Sequence, residues 1–67
     1  MEKDWVVAKS FNKLYIANIA VEVLADNEIK AVIMNKKDSS YQTFGDIEVY
    51  VEYANLEKAQ KLLEELN

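Results

Sequence analysis

The spacing of apolar residues along the chain changes between the period of strands and the period of helices. Residues 5–11 (WVVAKSF) are rich in β-branched and aromatic side chains, which predicts a first strand. From Lys13 to Asp26 the apolar residues recur every three or four positions, which predicts an amphipathic helix. The buried stripe expected for this helix consists of Ile16, Ala17, Ala20, Val23 and Leu24.

Two Asn residues are candidates for the ends of this helix. Asn12 is a plausible N-cap because its side-chain oxygen can accept an orphan backbone N–H of the first turn. Phe11 and Ile16 are then placed as a hydrophobic staple across that end. At the other end, Asn27 is expected to take the left-handed conformation, because Asn tolerates positive φ better than most residues.

Two further strands and a second helix follow. Residues 29–34 predict strand two, and residues 47–53 predict strand three with a clear alternation of apolar and polar positions. The side chains of strand three expected to face the helices are Ile47, Val49, Val51 and Tyr53, with Glu48, Tyr50 and Glu52 opposite. A second helix begins after Asn55, and its expected buried stripe is Leu56, Ala59, Leu62, Leu63 and Leu66.

The element order strand–helix–strand–strand–helix indicates a single α+β domain over residues 1–67. Two amphipathic helices and one strongly alternating strand predict a two-layer sandwich, a three-stranded sheet with both helices on one face. The simplest arrangement is a ferredoxin-like fold without its last strand, with strand three in the middle. The first strand is then a sheet edge, and Lys9 is the only charge within it that discourages pairing.

The sheet face away from the helices is expected to carry apolar side chains. If Val6 and Ala8 point inward, five other residues point outward together, namely Trp5, Val7, Val32, Met34 and Tyr50. Single exposed apolar side chains are ordinary on soluble proteins. A contiguous group of five has two equally good explanations. Either it has no function, or it is a contact surface for a protein partner or for a second copy in a homodimer.

The charge of the chain argues against nucleic acid as a partner. There are 12 acidic residues and 8 basic ones, all of them Lys, so the net charge is −4. Phosphate would be repelled, and Arg, which binds phosphate and guanine best, is absent. Glu48 and Glu52 also flank Tyr50 on one face, which argues against a base-stacking surface for RNA.

No segment of the sequence predicts insertion into a membrane or export. No apolar run reaches the roughly 20 residues that span a bilayer. Residues 1–4 (MEKD) do not resemble the start of a secretory signal, so the expected location is the cytoplasm.

The polar segment between strands two and three is a candidate ligand site. It contains Asn35, Lys36, Lys37, Asp38, Ser39, Ser40 and Tyr41, followed by the only Gly of the chain at position 45. Two ammonium groups beside hydroxyl and amide donors could hold a small anion or a nucleotide phosphate. The alternative is a solvated loop with local turn hydrogen bonds.

No arrangement of residues predicts catalysis, and we expect that the protein is not an enzyme and needs no cofactor. The chain has no His to act as a base for Ser39 or Ser40, and no Cys for a disulfide. A metal site is not expected either, because Asp38 and Asp46 lack further oxygen ligands at a suitable spacing.

The order and spacing of several positions resemble a family of small bacterial proteins of unknown function that are classed as signal-transducing. The matching positions are Trp5, Phe11, Ala17, Leu24, Ile29-Lys30-Ala31, Asn35, Asp38-Ser39-Ser40-Tyr41, Val49-Tyr50-Val51, Ala59 and Leu62-Leu63. The resemblance implies a ferredoxin-like, PII-like fold, in which Tyr41 lies in the connection that forms the signalling loop of PII proteins. One departure is Glu28, where relatives usually carry Gly, and Asn27 is the candidate substitute.

The function favoured by these observations is a small regulatory or signal-transducing module that acts by protein–protein contact. The alternative is a sensor of small anions or nucleotides at the segment between strands two and three.

Overall fold

The computed structural model describes residues 4–35 and 47–66 and confirms the element order β-α-β-β-α. The elements are strand β1 (Trp5–Phe11), helix α1 (Leu14–Asp26), strand β2 (Ala31–Asn35), strand β3 (Ile47–Glu52), a short 3₁₀ helix (Tyr53–Asn55) and helix α2 (Leu56–Leu63). The six residues of β3 therefore end one position before the predicted boundary.

The three strands form one antiparallel sheet in the order β1-β3-β2, so the prediction that the third strand is central is confirmed. Along β3 the side chains alternate as expected. Val49 and Val51 are fully buried, whereas Glu48 and Tyr50 on the opposite face are only partly covered. We call the Val49 side of the sheet the inner face and the Tyr50 side the outer face.

Both helices pack on the inner face, which makes the molecule the predicted two-layer α+β sandwich with ferredoxin-like topology. Helix α2 contacts β1, and helix α1 contacts β2. In α1, Ala17 and Ala20 are fully buried, and their small side chains allow the helix to lie close to the sheet. The residues of α2 that close the core are Ala59 and Leu63, both fully buried.

A β-bulge interrupts β1 and reverses the direction of its side chains. Val7 pairs with Tyr50 and Lys9 pairs with Val49, so Ala8 is an extra residue with no partner on β3. Directly opposed residues of antiparallel strands share a face. Val7 therefore lies on the outer face, as predicted, while Lys9 lies on the inner face.

The first turn of α1 starts one residue later than the sequence predicts. The N-cap is Lys13, in an extended conformation, and the prediction of Asn12 as the N-cap is wrong. The Lys13 side chain makes no capping hydrogen bond within the described residues. With Lys13 as the N-cap, Phe11 and Ile16 do not occupy the two positions of a hydrophobic staple, although both side chains contribute to the core.

The end of α1 also differs from the prediction, because Glu28 and not Asn27 adopts the left-handed conformation. Glu28 has φ of 64°, whereas Asn27 has φ of −104°. The backbone N–H of Ile29 donates to the Leu24 carbonyl at 2.8 Å, and that of Glu28 donates to the Ala25 carbonyl at 3.0 Å. This pair of bonds is a Schellman motif, and its geometry requires positive φ at the residue before Ile29.

The start of β2 and the end of β3 differ from the prediction because each of them adjoins a helical segment. Ile29 is buried as part of the helix-ending motif, so β2 begins at Ala31. Tyr53 was expected on the inner face, but the chain turns into the 3₁₀ helix there and leaves its side chain 68% exposed.

The apolar stripe of α2 is confirmed, since Leu56, Leu62 and Leu66 pack against the core at its rim.

Candidate functional site: the outer face of the sheet

The outer face is a surface built from all three strands, and register places its side chains in rows. Tyr50 of β3 lies opposite Val7 of β1 and opposite Val32 of β2. These three side chains therefore form one row across the full width of the sheet. The row is continuous because each pair is directly opposed.

Two flanking rows add polar and apolar groups. On one side of Tyr50, Glu48 lies between Ser10 and Met34. On the other side, Glu52 lies opposite Trp5. The outer face thus combines aromatic and aliphatic side chains with two carboxylates from the central strand.

The structure brings together the five residues that the sequence predicts as an interface. Trp5, Val7, Val32, Met34 and Tyr50 lie on the outer face, with Val32 39% and Met34 40% exposed and the other three partly buried. Neither helix covers them, because both helices pack on the inner face. That a partner binds there stays a prediction.

A hydrogen bond orders the centre of this face. The Tyr50 hydroxyl donates to the Glu48 Oε1 atom at 3.0 Å. The two side chains lie two residues apart on β3 and so project from the same face. The bond holds the aromatic ring along the strand and places its polar end beside a carboxylate, which gives the face an acidic, amphipathic character.

Lys9 is a polar residue whose position the sequence analysis missed. Its ammonium donates to the carbonyl of Leu63 at 3.0 Å and also to that of Leu66, contacts that the sequence does not predict. It also lies 5.8 Å from the centre of the Phe11 ring. No local sequence signal marks the bulge that turns Lys9 inward, because an extra Ala in a strand looks like any other strand residue.

The predicted ligand site between strands two and three is represented only at its first residue. Asn35 ends β2 and is exposed. The remaining candidates, Lys36, Lys37, Asp38, Ser39, Ser40 and Tyr41, lie outside the described residues. Anion or nucleotide binding there stays a prediction.

Two further classes of site are absent from the described part of the chain. Residues 4–35 and 47–66 hold no group of three or more acidic, His or Cys side chains placed to bind a metal ion. Neither α1 nor α2 has the length and apolar character needed to cross a bilayer.

The fold defines a small ferredoxin-like domain whose two helices both cover the inner face of its sheet. The chain belongs to the family DUF2007, described as "Putative prokaryotic signal transducing protein", whose model matches residues 6–67. The resemblance found in the sequence is thereby confirmed. No curated protein and no solved structure shows significant similarity to the chain.

Proposed function

We propose that this protein is a small regulatory module of signal transduction that binds another protein through its outer face and performs no catalytic step. The description of its family supports a signal-transducing role. A domain of this kind transmits a signal by occupying, or releasing, a surface on its partner.

The observation that carries the proposal is the row formed by Val7, Tyr50 and Val32. A row of apolar and aromatic side chains across three strands is a contiguous patch, whereas scattered exposed apolar residues are not. Tyr, Trp and Met, which the outer face also contains, are enriched in protein–protein interfaces. Small-molecule sites are concave, whereas this row lies across the surface of a sheet, so it suits a partner protein more than a small ligand.

The two carboxylates define the chemistry of the partner. Glu48 and Glu52 lie on either side of Tyr50, and the chain carries a net charge of −4. Complementary interfaces place opposite charges in register, which increases the association rate and disfavours wrong partners. The partner surface is therefore apolar at its centre with Lys or Arg at its rim, and its binding weakens as salt is added.

The test compares two substitutions that add the same charge on opposite sides of the molecule. Val7→Lys places an ammonium on the outer face, whereas Ile19→Lys places one on α1, where Ile19 is 44% exposed. Each variant and the original chain are used as bait, and the proteins retained are quantified by mass spectrometry. The strongest candidate is then purified and titrated by calorimetry.

The expected result is a protein that binds the original chain and Ile19→Lys equally, and Val7→Lys at least about tenfold more weakly. Its affinity also falls with ionic strength. If every retained protein binds Val7→Lys as well as it binds Ile19→Lys, the outer face is not the contact surface and the proposal fails. Circular dichroism of both variants establishes that they are folded.

A further inference from the structure

The two edges of the sheet differ in the features that prevent strands from pairing with other chains. In β1 the bulge at Ala8 disrupts the ladder, and Lys9 is a charged residue directed to the inner face. Both features are among those by which natural proteins protect sheet edges. The edge formed by β1 is therefore protected.

The edge formed by β2 lacks this protection. Its pairing with β3 runs without a register shift from Ala31 to Asn35, and none of its five residues is charged. Within residues 4–35 and 47–66, no strand pairs with its far side. A regular, uncharged edge strand of this kind is a template for one more strand.

Apolar surface surrounds this edge on both faces of the sheet. Val32 and Met34 on the outer face are 39% and 40% exposed. Ala31 and Ile33 face the core on the inner side but are only partly buried, because the sheet ends there. A strand added beside β2 would cover all four side chains.

An open groove lies at the start of β2, on the α1 side. It has a volume of about 370 Å³ and is lined by residues of α1 and of the segment that leads into β2, namely Val21, Ala25, Glu28, Ile29, Lys30 and Ala31. Val21 of α1 and Ala31 of β2 are partly buried residues at the rim of the core. The groove leaves space for side chains of an added strand beneath the helix.

We propose that the strand added at β2 is β2 of a second copy of this chain, paired antiparallel about a two-fold axis. The register centred on Ile33 is the only one that pairs all five residues of β2 while keeping inner-facing residues opposite inner-facing ones. Ile33 then lies opposite Ile33 of the partner subunit. Val32 lies opposite Met34 of the partner subunit.

The self-complementary pattern of β2 is what favours a second copy over a different protein. An isologous interface requires that one surface fit itself. In this register Ile33 meets Ile33 on the inner face and Val32 meets Met34 on the outer face. Ala31 lies opposite Asn35, and no charged residues oppose each other within Ala31–Asn35. The product is a continuous six-stranded sheet in which two outer faces adjoin.

This pairing does not rest on the proposed function, because it uses β2 and does not involve Val7 or Tyr50, although Val32 belongs to both surfaces. The Val7→Lys variant leaves β2 unchanged and is expected to form the dimer as the original chain does. Loss of outer-face binding and loss of self-association are therefore distinguishable.

The first test uses two double variants with the same substitution at position 34. In Val32→Lys with Met34→Lys, each new Lys at position 32 opposes the partner subunit's Lys at position 34. In Val32→Glu with Met34→Lys, opposite charges meet at the same place. Position 34 lies beside Glu48 in both variants, so Lys there is equally tolerated within the subunit.

Sedimentation equilibrium over a concentration series measures the outcome. The original chain and the Glu–Lys variant are expected to dimerise, and the Lys–Lys variant is expected to have a dissociation constant at least about tenfold higher than the Glu–Lys variant. A monomeric original chain overturns the proposal and leaves the β2 edge to another partner. Equal dissociation constants for the two variants overturn it as well.

The second test establishes the register directly, because the chain contains no Cys. Opposed residues in antiparallel strands have Cα atoms about 4.5–5.5 Å apart, within the range that a disulfide bridges. Ile33→Cys is therefore expected to form a disulfide-linked dimer about tenfold faster than Ser10→Cys, an exposed position on β1. Equal rates of cross-linking at the two positions contradict the proposed register.

Discussion

The ammonium group of Lys9 donates a hydrogen bond of 3.0 Å to the main-chain carbonyl of Leu63 and so joins the first strand to the end of the last helix. The Leu66 carbonyl accepts from the same group. Carbonyls at a helix C-terminus lack intrahelical hydrogen-bond donors and carry partial negative charge. An ammonium group there supplies the missing donor and an opposite charge. A single side chain thus connects residues 54 positions apart in sequence.

We expect Lys9→Met to lower the free energy of unfolding by about 1–2 kcal/mol, because it removes two charge-assisted hydrogen bonds while keeping the apolar stem. Urea unfolding measures the change. Lys58→Met, at an exposed position of α2, is the matched control and is expected to change the stability by less than about 0.5 kcal/mol. Equal losses in the two variants would show that Lys9 does not stabilise the helix end.

The left-handed conformation of Glu28 predicts that Gly is a better residue there. At positive φ a Cβ atom is sterically unfavourable, and Gly has none. Glu28→Gly is therefore expected to raise the free energy of unfolding by about 1 kcal/mol. Thermal unfolding followed by circular dichroism measures the gain.

Asn27→Gly is the control for that prediction, because the neighbouring residue has negative φ. Its side-chain amide also donates to the Val23 carbonyl at 2.8 Å, a bond that Gly cannot make. We therefore expect Asn27→Gly to be destabilising by about 0.5–1 kcal/mol. A stabilising Asn27→Gly together with a destabilising Glu28→Gly would place the left-handed residue one position earlier.

The bulge predicts that β1 tolerates the removal of one particular residue. Deleting Ala8 leaves Val7 and Lys9 opposite their present partners, Tyr50 and Val49, so the ladder closes without a change of face. Deleting Ser10 instead moves Lys9 to the outer face and separates it from Leu63. We expect the second deletion to cost at least about 1 kcal/mol more than the first in urea unfolding. The reverse order of stability would contradict the assignment of Ala8 as the extra residue.

The sequence was informative wherever periodicity decides the structure. The alternation around Val49 and Val51 predicted the central strand and its buried face, and the stripe at Ala17, Ala20 and Leu24 predicted how α1 packs. The grouping of Trp5 and Val7 with Tyr50 on the outer face followed from the same two-residue period, because the bulge lies beyond Val7.

The sequence was not informative where a single backbone conformation decides the structure. Propensity assigns a left-handed residue to Asn before Glu, yet the helix-ending hydrogen bonds require that conformation one position later, at Glu28. In the same way, the contact between Lys9 and Leu63 depends on an extra residue in β1 and on a helix distant in sequence. Neither can be deduced from local composition.

The extra residue in β1 also has a consequence for comparing relatives. Upstream of Ala8 the odd-numbered residues Trp5 and Val7 lie on the outer face, whereas downstream the odd-numbered Lys9 and Phe11 lie on the inner face. The parity that identifies a surface residue is therefore opposite in the two halves of one strand. A relative that lacks this extra residue can have the same outer face. Its residues are matched to the correct face of this strand only when the alignment places a gap at position 8.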